Sequence, residues 1–136
     1  MLLYRDITVY AYWPVKEIVK LLSPEFFSKF HQERIIRNIR LKVIWPQKQT
    51  PQIKNLPFFG VGGGEFKREV RLAPKEVDFS LGYAIYGNTV RFISSSKENF
   101  GFLVASPELV KMMKSQFQMV WNASKPFLFK NKKEAG

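Results

Sequence analysis

The run LLSPEFFSKFHQERIIRNIRLKVIWP, residues 21–46, decides the fold, because it holds a helix start, a helix body and a strand. Ser23 is placed to cap, Pro24 to occupy the first helical position, and Glu25 to face the helix dipole. The spacing predicts a helix to about Asn38. Glu25, Lys29, Glu33 and Arg37 lie four apart with alternating sign, as i,i+4 pairs do on a wet face. Phe26, Phe27 and Phe30 mark the opposite side, and Arg34 projects from that aromatic side, seven residues after Phe27. LKVIWP (41–46) then reads as a strand stopped by Pro46.

Outward from this run, ITVYAYW (7–13) reads as a buried strand ended by Pro14, and Val15, Ile18, Val19 and Leu22 recur at helical spacing. Residues 47–64 carry Pro51, Pro57 and the GVGGG of 60–64, and read as a long loop. Four strand-like runs follow: 66–73, 79–86, 89–96 and 100–106. Gly87-Asn88 suits a two-residue hairpin, and REVRL and TVRFI alternate as strands with one wet face do. Ser106-Pro107-Glu108 repeats the helix-start chemistry of Ser23-Pro24-Glu25. The helix it opens carries Val110, Met113, Phe117, Val120 and Trp121 on one face, with Lys111, Lys114, Gln118, Asn122 and Lys125 on the other, and Pro126 closes it. The expected order is β-α-β-loop-β-β-β-β-α, an α/β (α+β) mixed sheet flanked by helices. Residues 1–126 are expected to form one domain, with 127–136 a flexible basic tail.

Composition narrows the chemistry. The 136 residues contain no Cys and one His, so disulfides, thiolate metal sites and cysteine nucleophiles are excluded. His31 is the sole histidine and Asp6 and Asp78 the sole aspartates, which starves metal clusters and Ser–His–Asp triads; no metal and no cofactor are expected. The Gly-rich 60–64 segment lacks the Gly-Lys-Ser/Thr ending of a phosphate loop. Glu65, Glu69, Glu76 and Asp78 each lie near Lys or Arg and read as surface pairs. No secretory signal and no membrane-spanning run stand out, so a cytoplasmic protein is expected.

The net charge of +11 favours an anionic partner. The excess sits in residues 1–55 and 106–136, leaving 56–105 nearly neutral. A non-specific nucleic-acid contact would use Arg37, Arg40, Lys111 and Lys114 on the basic helices. Alternatively, an aromatic fraction of 15% with an Arg on an apolar face suits a pocket or interface built on Arg34, His31, Trp45 and Tyr86.

Three pieces resemble one family: Glu33-Arg34 closing the helix before Ile39 and the strand, the Ile85-Tyr86-Gly87-Asn88 hairpin, and the last helix ending in Trp121 and Lys125-Pro126. Over residues 7–126 the chain resembles the C-terminal domain of TrmB-type transcriptional regulators. That resemblance implies a phospholipase D-like half-unit, two of which pack face to face, here as a homodimer. The superfamily's catalytic signature is His-x-Lys-x4-Asp. His31 has Glu33 at the second position after it and Asn38 at the seventh, and the Tyr86–Ile93 hairpin, where the resemblance places the signature, holds no His or Lys. The resemblance therefore implies no enzyme activity, but a regulatory domain that dimerises and senses a small effector, which in members of the family is a sugar. No ligand motif carries that sugar specificity over residue by residue. In the family, DNA is met through a winged helix-turn-helix, which these residues lack, so the chain is expected to be an excerpt of a regulator or a lone effector-type domain.

Overall fold

The structure is a computed structural model that describes residues 4–21, 23–49, 67–95 and 97–127. The β-branched and aromatic runs form the strands: β1 (Thr8–Tyr12), β2 (Arg40–Trp45), β3 (Arg68–Leu72), β4 (Gly82–Tyr86), β5 (Thr89–Ile93), β6 (Gly101–Ala105) and β7 (Lys125–Pro126). Helices α1 (Val15–Leu21) and α2 (Pro24–Ile36) link β1 to β2, and α3 (Pro107–Ala123) follows β6. The sheet has the order β6-β5-β4-β1-β2-β3-β7. β1, β2 and β3 run parallel, and β4, β5 and β6 form an antiparallel meander attached to β1. The mixed sheet expected from the sequence is the one found.

Both proline-led helix starts form. The Ser23 hydroxyl accepts from the Phe26 N–H at 3.2 Å, and that of Ser106 from Leu109 at 3.1 Å. Gly87 opens the β4–β5 turn at φ +56°, a backbone region open to glycine at no steric cost.

Three differences from the expected order have clear causes. Val15–Leu21 is a helix of its own, separated from α2 because Ser23 adopts an extended backbone to cap the next one. β3 pairs with β2 in parallel, whereas the expected order had one crossover followed by hairpins; the 22 residues between the two strands, 46–67, are enough for a parallel pairing. Lys125–Pro126, expected as the helix stop, adds a two-residue strand antiparallel to β3. Pro126 fits there because an edge position asks for fewer donors. The Gly-rich segment 60–64, Glu65, most of the expected 47–64 loop and nearly all of the expected tail lie outside the described residues.

Strand alternation sends side chains to two cores. On one face Ala11, Val43, Trp45 and Val70 pack with Val15, Ile18 and Phe27 from α1 and α2. On the other, Tyr12, Ile44, Ile85 and Val90 pack with Val110, Phe117 and Trp121 from α3. Burying side chains of this size contributes roughly 1.5–3 kcal/mol each. Among the described residues, no helix is long and apolar enough to cross a membrane.

Candidate functional site

Parallel pairing brings the starts of three strands to one end of the sheet. Thr8 lies opposite Arg40, Leu41 opposite Arg68, and Lys42 opposite Glu69. Each strand is entered through a residue at positive φ: Asp6 at 56°, Asn38 at 55° and Lys67 at 50°. Asn and Asp tolerate this region; for Lys it is uncommon. A polar chain ties the three together. The Asn38 amide donates to Asp6 Oδ1 at 2.9 Å, and the Lys67 ammonium donates to Asn38 Oδ1 at 2.9 Å.

Beneath this end lies Arg34, 0% exposed. Its guanidinium donates to the carbonyls of Ile39 at 2.9 Å and Lys67 at 3.2 Å, and shares a 3.0 Å hydrogen bond with Nδ1 of His31. Arg34 thus fastens α2 to the segments that lead into β2 and β3. Burial lowers the pKa of Arg34 to about 10, and burial together with Arg34 lowers that of Arg68 to about 9, both far above neutrality. His31 is 2% exposed, and burial, reinforced by the charges of Arg34 and Arg68, holds its pKa down at about 3. It is neutral at pH 7.

Arg40, Lys42, Lys67 and Arg68, with Thr8, Leu41 and Glu69, line an open groove of about 490 Å³ at this end of the sheet. Alternation places Thr8, Arg40, Lys42 and Glu69 on the α3 face, where the Lys42 ammonium sits 5.2 Å from the centre of the Trp121 ring. A second cavity, of about 430 Å³, lies between the sheet and α3. Its walls are Tyr12, Phe79, Tyr83, Phe92 and Met113, with Gln116 among its few polar groups. The Tyr12 hydroxyl accepts from the Phe79 N–H at 2.8 Å and donates to its carbonyl at 3.3 Å, which holds the approach to β4 against β1. Burial raises the pKa of Tyr12 and of Tyr83 to about 12, so both hydroxyls stay protonated.

The expected pocket of Arg34, His31, Trp45 and Tyr86 needs correction. Arg34 and His31 do meet, but all four side chains are buried, and Arg34 spends its donors on backbone carbonyls and His31. Of the residues expected to contact nucleic acid, Arg37 faces Glu33 at 3.7 Å, Arg40 lines the groove, and Lys111 and Lys114 are exposed on α3, with Lys114 over the Tyr10 ring. Sequence reasoning missed Thr8, Lys42, Lys67 and Arg68. The polar alternation of Arg40-Leu41-Lys42 was a signal of a wet face, but only the strand register joins it to Lys67 and Arg68. Among the described residues, no cluster of three or more His, Cys, Asp or Glu is arranged to hold a metal ion.

A mixed sheet of parallel and antiparallel strands with helices on both faces defines the fold as a phospholipase D-like half-domain. In comparisons of structure, the chain is similar to TrmBL2, an archaeal chromatin protein with a novel mode of DNA binding, at a TM-score of 0.65 and 15% identity. The match covers 93% of this chain and 46% of that one, in its C-terminal part. The chain is also similar to Nuc, a phospholipase D family member from Salmonella typhimurium (TM-score 0.58, 13% identity, 90% of this chain and 83% of that one). NucT from Helicobacter pylori matches at a TM-score of 0.54 and 14% identity, over 90% of this chain and 84% of that one. No family model and no curated protein matches the sequence.

Proposed function

We propose that this chain is a non-catalytic regulatory domain, the effector-sensing and dimerising part of a transcriptional regulator. The observation that carries the reading is the placement of the sole histidine. Within a fold shared with nucleases, His31 lies mid-helix, sealed from solvent, with Nδ1 engaged by Arg34. A histidine nucleophile must reach its phosphorus, and this one reaches only the interior. The similarity to about half of an archaeal chromatin protein supports a role beside DNA, with a winged helix-turn-helix supplied from outside these residues. The aromatic cavity between the sheet and α3 is the place for a sugar-like effector, whose apolar ring face would stack on the exposed Phe79 or the half-buried Tyr83. Effector binding would then favour one arrangement of a homodimer.

Light scattering with and without a panel of mono- and disaccharides tests this, together with hydrolysis of a chromogenic phosphodiester. A dimer, a saccharide-dependent change in Trp fluorescence and no hydrolysis are expected. A monomer at all concentrations, or turnover that His31→Gln abolishes, would overturn the reading. A second reading, non-specific contact with nucleic acid, is favoured by Lys111 and Lys114, both exposed on α3. It requires binding to arbitrary duplex that weakens steeply with salt.

A further inference from the structure

The groove at the starts of β1, β2 and β3 is separate from the aromatic cavity assigned to the effector. Four cationic residues, Arg40, Lys42, Lys67 and Arg68, line it, and Glu69 is the one acidic residue among its described walls. Two of those cations are held in place. The Lys67 ammonium donates to Asn38 Oδ1 at 2.9 Å and to the Ile35 carbonyl at 3.4 Å, which fixes it and leaves one N–H for a ligand. The Lys42 ammonium rests over the Trp121 ring. Arg40 is exposed at the rim, and Thr8 adds a hydroxyl that donates or accepts. Fixed cations around a concavity are complementary to a compact polyanion, because little side-chain entropy remains to be lost on binding. The volume, about 490 Å³, has room for a small molecule.

We propose that this groove binds a small phosphorylated molecule, its phosphate group held by Arg40, Lys42 and Lys67 with the Thr8 hydroxyl beside them. The site gives the domain a second ligand, distinguished by charge from the one in the aromatic cavity. It does not depend on the effector reading, since the two ligands meet different walls.

The test is titration of the full chain with inorganic phosphate, pyrophosphate and glucose 6-phosphate, followed by calorimetry and by Trp121 fluorescence, which reports on Lys42. Saturable binding is expected, weakened about tenfold or more in Arg40→Ala and in Lys42→Gln, as befits the loss of one charge-assisted contact. Lys97→Ala, exposed beyond β5, is expected to bind as the parent does. Circular dichroism verifies that each variant is folded. Preference for glucose 6-phosphate over both inorganic ions identifies an organic ligand, and preference for pyrophosphate an inorganic one; either supports the site. No binding of any of the three, binding untouched by both groove variants, or groove-dependent binding of duplex DNA alone would overturn it.

Discussion

Arg34 and His31 show how a single polar pair organises this molecule. A guanidinium inside a protein is costly unless its donors are met, and Arg34 meets the carbonyls of Ile39 and Lys67 and the ring of His31. The arrangement requires a neutral imidazole, because a second cation 3.0 Å away would repel the guanidinium. This gives stability a pH dependence. The unfolded chain takes a proton on His31 below its ordinary value of 6.5, whereas the folded chain resists protonation down to about 3. The unfolded state therefore binds more protons across that window, and stability is present above pH 6.5 and lost as pH falls toward 3. The slope for one such group is at most about 1.4 kcal/mol per pH unit. Urea midpoints between pH 7.5 and 5, before the carboxylates titrate, are expected to decline. His31→Gln is expected to flatten that decline; an unchanged slope in the variant would assign the effect elsewhere.

At the scale of elements, the two proline-led helices do different work. α2 turns a mixed face inward and depends on Arg34 to anchor it, while α3 presents Val110, Phe117 and Trp121 to the sheet. Arg71 donates to the Trp121 carbonyl at 2.9 Å and lies over its ring, closing the far end of α3. At the near end the Ser106 hydroxyl is the cap, and Ser106→Ala is expected to cost about 1 kcal/mol in equilibrium urea unfolding. Ser106→Gly should cost only a few tenths, since glycine also suits the cap backbone. Equal losses for the two would show that glycine's fit to the cap backbone does not offset the lost hydroxyl bond. The helix starts were legible because capping is local chemistry. The break between α1 and α2 is written in the same chemistry, since Ser23-Pro24 starts a new helix where the Val15–Leu22 spacing ends.

For the whole molecule, the sheet sets a gradient of stability. β1 and β2 are paired on both sides and covered by both cores, whereas β6 is an edge strand with Phe100, Phe102 and Leu103 exposed nearby or along it. Native-state hydrogen exchange is expected to be slowest at Val9, Ala11, Val43 and Ile44 and faster along β6. Equal protection across the sheet would contradict this order. It would instead point to a partner strand on β6.

Strand identity, the two capped helices, the Gly87-Asn88 turn and the poverty in catalytic residue types were determined by sequence alone. All of these rest on interactions within a few residues, so they are written in local spacing. Tertiary structure alone decided that β3 runs parallel to β2, that Lys125–Pro126 closes an edge, and that Arg34 and His31 face inward. It also decided that Arg40 and Lys42 share a groove with Lys67 and Arg68. Strand register and helix rotation are set by packing between segments far apart in the chain, and no short window of sequence contains both partners.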